Sequence, residues 1–191
     1  MKSTVLYVNA CVRKDSRTER LASAVLKKLD SPVVEVRLEG LAFPVSDKAF
    51  LNERDRLISA GDFGSPLFDL ARQFAEAESV VIAAPYWDLS FPATLKQYFE
   101  QINVVGITFR YTEDGRPAGL CKARKLYYVT TAGGRYVPEE FGFGYVRALA
   151  QNFYGIPEVK LFKAEGLDIG DIDAEIIVKN AEKTVSETVF D

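Results

Sequence analysis

The sequence contains no histidine, one methionine, one tryptophan and two cysteines in 191 residues. Without histidine, a Ser-His-Asp triad and any His-ligated metal centre are excluded. Proton transfer then falls to carboxylates, lysine, tyrosine, cysteine, a cofactor or water. Cys11 and Cys121 stand far apart and neither belongs to a CxxC pair. No disulfide framework is implied, and a reduced cytoplasmic setting is expected. An excess of one charge is also lacking: the net charge is −3 and the basic residues are scattered. Nucleic acid and anionic lipid are therefore not expected partners. No apolar run approaches the roughly 20 residues that span a bilayer, and the opening segment turns polar too early for a secretory signal. Membrane insertion is not expected. The tight phosphate-loop pattern GxxxxGK followed by Ser or Thr is absent. Gly142-Phe-Gly144 has Arg147 where a third glycine would stand and does not directly follow a strand, which disfavours a dinucleotide-binding turn.

What is present is an alternation of short apolar runs and helical segments, the signature of βαβ units around a parallel sheet. Strands are expected at Thr4–Val8, Pro32–Leu38, Ser79–Ala84, Lys125–Thr130 and Val159–Phe162. Helices are expected at Ser16–Leu29, Pro66–Glu78, Pro92–Val104, in part of Val137–Phe153, and at Asp171–Val189. Leu21, Val25, Leu26 and Leu29 show the helical spacing in the first of these. No internal repeat or low-complexity linker interrupts the chain, so residues 1–191 read as a single domain. Two connections are long, residues 39–64 and 105–124. The second carries Asp114-Gly115, a strong hairpin signal, and loops of this length are usually functional or mobile.

In an open parallel sheet, ligands bind beyond the carboxyl ends of strands where the strand order reverses. Three segments lie at such ends. Asn9 to Thr18 leads into a helix whose N-terminus suits a phosphate, with Ser16, Arg17 and Thr18 as added donors. Ser16-x-x-Glu19 equally fits a capping box that only closes its own helix. Ala84 to Pro92 brings Pro85, Tyr86, Trp87, Asp88 and Leu89 to the second strand end. These residues suit the edge of a flat ring, or packing in the core or at a subunit contact. Thr131, Ala132, Gly133 and Gly134 follow the fourth strand. The glycine pair permits close approach of backbone to a ligand or simply a tight turn.

Taken together these loops resemble the FMN-dependent NADH-azoreductase and NAD(P)H quinone reductase family of the flavodoxin-like superfamily. Ala83-Ala-Pro-Tyr-Trp-Asp-Leu-Ser-Phe-Pro-Ala-Thr-Leu-Lys-Gln-Tyr-Phe99 resembles the family's AAPMYNFxIPxxLKxYFD. Gly106-Ile-Thr-Phe-Arg-Tyr-Thr-Glu-Asp-Gly115 is similar to its GVTFRYTxxG. Thr131-Ala-Gly-Gly134 stands at its SRGG, and Ala164-Glu-Gly166 at its late AEG. The resemblance covers nearly the whole chain. It implies an α/β, flavodoxin-like three-layer sandwich whose five-stranded parallel sheet has the order 2-1-3-4-5. It also implies a homodimer with FMN at the subunit interface. Hydride would pass from NADH or NADPH to the flavin, and electrons onward to a quinone or azo compound, in ping-pong order. Carried over by position, Ser16 and Thr18, with Arg17 between them, meet the phosphate. Pro85 to Leu89 line the isoalloxazine, and Thr131 to Gly134 close its other edge. Tyr111, Tyr136 and Phe153 are candidate walls of the substrate pocket, or aromatics of the dimer interface or core. The sequence departs from the family at Tyr-Trp-Asp-Leu in place of MYNF, at Ala132 in place of Arg, and at Ala10 in place of a serine. An electron carrier, or a flavin-binding module without a substrate of its own, is the alternative function.

Overall fold

The computed structural model describes residues 4–170 and 172–190. Its elements run β1 (Val5–Asn9), α1 (Arg17–Leu29), β2 (Val33–Arg37), α2 (Lys48–Ser59), α3 (Asp69–Glu76), β3 (Ser79–Ala83), α4 (Ala93–Ile102), β4 (Phe109–Tyr111), β5 (Pro117–Gly119), β6 (Lys125–Thr131), α5 (Phe143–Leu149), β7 (Glu158–Ala164) and α6 (Ala174–Glu187). β1, β2, β3, β6 and β7 form one parallel sheet in the order β2-β1-β3-β6-β7. With the separate β4–β5 hairpin set aside, this is the expected order 2-1-3-4-5.

The apolar runs explain the layers. Every residue of β1 is buried, and four of the five in β3 are, so side chains pack on both faces of the sheet. Leu6, Val8, Val80, Ile82, Leu126 and Tyr128 share one core with α3, α4 and α5. Their neighbours Val5, Tyr7, Val81, Tyr127 and Val129 share the other with α1. On that second face Arg20 of α1 pairs with both Glu175 and Glu182 of α6, which ties the two helices together.

Two differences from the sequence reading have clear physical causes. The long connection at 39–64 contains a helix, α2, in which only Leu57 is fully buried. Such a helix shows almost no apolar stripe, and its one local signal is Asp47, whose carboxylate accepts from the Phe50 amide at 2.9 Å. The expected helix at 66–78 begins as a single tighter turn, Pro66–Phe68, before α3. The closing helix was expected to begin at Asp171, which lies outside the described residues.

The hairpin forms at the Asp114-Gly115 signal. Thr112 N–H donates to Arg116 O at 2.8 Å, and Gly115 takes φ +80°. Its base packs against the wide turn Ala150–Tyr154 that ends α5. A β-carbon on Gly119 would lie 2.1 Å from backbone atoms of Tyr154 and Gly155, so only glycine permits this approach. Lys122 and Arg124, just after the hairpin, donate to Ala75 and Glu78, just before β3. The hairpin therefore stands where strands begin, at the end of the sheet opposite the strand termini. Among the described residues no helix is long and apolar enough to cross a membrane.

Candidate functional site

Beyond the carboxyl ends of β1, β3 and β6 lies a cleft of about 320 Å³. It sits at the switch in strand order, since β1 leads outward to β2 on one side while β3 continues to β6 on the other. Three loops and one further segment build its walls.

The first wall is the passage from β1 into α1. Asn9, fully buried, spends its whole amide on holding this passage. Its Oδ1 accepts from Cys11 N at 3.0 Å, and its Nδ2 donates to Glu19 at 3.1 Å and Glu35 at 2.9 Å. Ser16 caps α1, its Oγ accepting from the Glu19 amide at 3.2 Å. The first helical bond back to Ser16 O comes from Arg20 at 3.0 Å. The Arg17 and Thr18 amides are thus among the orphan donors that any helix N-terminus presents. Capping and anion binding are compatible here, because the Ser16 hydroxyl accepts with its oxygen and retains a proton to donate. Cys11, behind this wall, is buried, and burial pushes its thiol up to about 11.

The second wall follows β3. Tyr86 N–H donates to Thr131 O at 3.0 Å, and Tyr86 Oη donates to Pro138 O at 3.3 Å. Trp87 and Ser90 exchange two backbone hydrogen bonds, of 3.1 and 2.8 Å, across a two-residue turn. At its tip Asp88 has φ +51° and Leu89 φ +68°. That is the left-handed geometry of a type I′ turn, normally filled by Asn-Gly. Leucine is poorly suited to it, and strain of this kind gathers at functional sites. Burial raises the Tyr86 phenol above its ordinary value, with Tyr136, Glu140 and Glu165 adding to the effect.

The third wall is Thr131-Ala132-Gly133 after β6. Thr131 Oγ1 and Thr18 Oγ1 share a 2.6 Å hydrogen bond that fixes this wall to α1. The fourth segment follows β7. Leu167 N and Asp168 N donate to Ala132 O at 3.1 Å and Gly133 O at 3.0 Å, and Gly166 N donates to Gly134 O at 2.8 Å. These bonds tie the loops after β6 and β7 together beyond the last paired residues, Thr131 and Ala164. The Asp168 carboxylate lies where a β-carbon on Gly133 would be, 2.2 Å from its Oδ2. Its Oδ1 accepts from Arg17 Nη1 at 2.8 Å, and the same nitrogen approaches Leu167 O at 3.4 Å.

Nine of the sequence-derived candidates thus line one cleft: Ser16, Arg17, Thr18, Pro85, Tyr86, Trp87, Thr131, Ala132 and Gly133. Asp88, Leu89 and Gly134 belong to the same loops but not to the lining. Tyr136 is 80% exposed on the loop beyond. Tyr111 and Phe153 lie on or against the hairpin, where both rings stack edge-on to Phe109, at the opposite end of the sheet. Val12, Arg13, Asp15, Leu167 and Asp168 complete the lining and were not singled out from sequence. Ala164-Glu-Gly166 was the nearest signal for the last two. Among the described residues no group of three or more Cys, Asp or Glu side chains could hold a metal ion.

The arrangement is a cleft at the strand ends of an α/β sheet, with cationic and hydroxyl donors on the β1–α1 wall and an aromatic surface on the wall after β3. The chain belongs to the flavodoxin-like fold family, whose model matches residues 3–189. It is 32% identical over 194 residues to the FMN-dependent NADH:quinone oxidoreductase 2 of Clostridium perfringens, covering 96% of this chain and 97% of that one. It is 34% identical to the protein of the same description from Clostridium acetobutylicum, covering 97% of each. Among solved structures it is similar to an azoreductase from Bacillus anthracis, at a TM-score of 0.83 and 25% identity over 97% of both chains.

Proposed function

We propose that this protein is an FMN-dependent oxidoreductase that takes electrons from NADH or NADPH and passes them to quinones or azo compounds. The observation that carries the reading is the cleft itself. One end offers the helix N-terminus, Ser16, Arg13 and Arg17, the donor set a phosphate requires. The other end offers Tyr86 and Trp87 as flat apolar surface beside backbone groups able to meet the polar edge of a flavin ring. The relatives named above, matched over nearly their full length, support the same reading.

Bound FMN would supply the two-electron chemistry that no side chain here provides. The residues would hold and enclose it. Ser16 Oγ–H and the Arg17 and Thr18 amides would meet the phosphate, and Thr131, Ala132 and Gly133 one edge of the ring system. The Asp88–Leu89 turn would cover the opposite edge from the rim. Tyr86, a neutral phenol, would serve as an uncharged wall. Donor and acceptor would use the same open side of the cleft in turn, giving ping-pong kinetics. One domain would carry the activity. Tyr111, Tyr136 and Phe153 would complete a substrate pocket only across a homodimer, since the first and last lie far from the cleft of their own chain. A cytoplasmic location suits the free thiols Cys11 and Cys121.

The test is an absorbance spectrum of the purified, FMN-reconstituted protein, followed by anaerobic NADH and NADPH. Bleaching of bound flavin within seconds and reoxidation by a quinone support the reductase. Bound flavin that neither nucleotide reduces would make the protein a carrier. Failure to retain FMN would make it a module of another kind.

A further inference from the structure

We infer that Asp168 sets how tightly the cleft holds a phosphate, by competing for the Arg17 guanidinium. The inference rests on the flavin reading and concerns a residue that reading does not use.

Arg17 is the first residue of α1, at the helix end where anions bind best. Its guanidinium is already engaged. It reaches across the cleft margin to the Asp168 carboxylate at 2.8 Å and the Leu167 carbonyl at 3.4 Å. Asp168 cannot follow Arg17 away from this position without cost. Its backbone amide is bonded to Gly133 O, and its side chain lies directly over the Gly133 α-carbon. The cleft lining therefore holds two cations, Arg13 and Arg17, against two carboxylates, Asp15 and Asp168. One cation is already neutralised by a fixed partner.

The pair is 45% and 70% exposed at its two side chains. Exposed pairs of this kind are weak, whereas a guanidinium on a phosphate forms stronger, often bidentate, charge-assisted bonds. An arriving phosphate would take Arg17 from Asp168, and the affinity observed would be that of the phosphate contact less the contact it replaces. Asp168 also remains as a like charge near the incoming dianion, an effect that does not depend on Arg17. The two contributions separate in a double-mutant cycle.

The experiment is fluorescence titration of the apoprotein with FMN and with riboflavin, which lacks the phosphate, for wild type, Asp168→Asn, Arg17→Met and the double variant. Asp168→Asn is expected to tighten FMN roughly fivefold and leave riboflavin unchanged. In the Arg17→Met background most of that gain should vanish. Three outcomes overturn the inference: FMN affinity unchanged or weakened by Asp168→Asn, an equal effect on riboflavin, or a full effect that persists without Arg17. Weakening would mean that Asp168 pre-positions Arg17 for the phosphate. Wild type that binds neither flavin would overturn the flavin reading and the inference with it, a result distinct from the other three.

Discussion

Asp88 and Leu89 form the tip of the loop after β3 with φ +51° and +68°. A β-carbon in this left-handed region costs roughly 1–2 kcal/mol. Leu89 is 45% exposed, so little burial compensates it. Replacing Leu89 with glycine removes the steric cost and adds back about 0.5–1 kcal/mol of lost unfolded-chain entropy. The balance is a stabilisation of about 0.5–1 kcal/mol. At a urea dependence of about 2 kcal/mol per molar, the unfolding midpoint should rise by about 0.2–0.5 M. Leu89→Ala is the control: it removes the exposed side chain but keeps the β-carbon, and its midpoint should stay near wild type. If Leu89→Gly lowers the midpoint, or matches Leu89→Ala, the turn is not strained and the argument fails. If the turn covers the flavin, both variants should also bind FMN less tightly. Stability and binding would then move in opposite directions for glycine, as expected where strain is retained for function.

Other expectations follow from separate features. Gly119→Ala should destabilise by about 1–3 kcal/mol or more, because its β-carbon meets the Tyr154–Gly155 backbone. Gly134→Ala has open space and should leave the unfolding free energy, measured in urea, within about 0.5 kcal/mol of wild type. Asp88→Asn removes a carboxylate near the expected ring edge and should raise the FMN potential by on the order of 10–20 mV, the size of a weak surface charge effect on a two-electron couple. An unchanged or lower potential in a dye-coupled reduction titration would refute it. Cys11 has its folded-state pKa raised from 9.0 to about 11 by burial. The native state therefore binds more protons than the unfolded state between these values, and stability should fall as pH rises from 9 to 11. Burial pushes Cys121 up as well, to about 12, so urea midpoints at pH 7.5 and pH 10 in wild type and Cys121→Ser separate the Cys11 loss. At pH 8 the native thiol should resist iodoacetamide until the protein is denatured.

Much of the fold was legible because its strands are short, apolar and buried on both faces, a pattern few other elements produce. The three cleft loops were legible for a related reason: strand termini fix where a ligand can sit before any side chain is considered. What was not legible was carried by geometry rather than residue type. The α2 helix buries only Leu57 fully, so its pattern is that of a polar loop. The Asp88–Leu89 turn lacks the Asn or Gly that would announce left-handed backbone. Asp168 reaches the cleft because β7 lies beside β6 and the loops that follow them bond to each other, Asp168 N to Gly133 O. The Asn9 amide joins the β1–α1 passage to α1 and β2 through Cys11, Glu19 and Glu35, and nothing local marks it as more than the end of a strand. Tyr111 sits in a family-like motif and Phe153 in the turn that ends α5, yet both lie at the far end of their own chain from the cleft.

The bonds that tie the loops after β6 and β7 together through Ala132, Gly133, Leu167 and Asp168 make the two sides of the cleft unlike in time. Amides that donate in those bonds should exchange with solvent far more slowly than unbonded loop amides, since each must first break a backbone hydrogen bond. Residues 12–15 across the cleft are exposed, and their amides should exchange orders of magnitude faster. A ligand would then meet one wall already set and order the other on arrival. Its footprint in a deuterium-labelling experiment should accordingly appear on the β1–α1 side, with the β6–β7 side nearly silent.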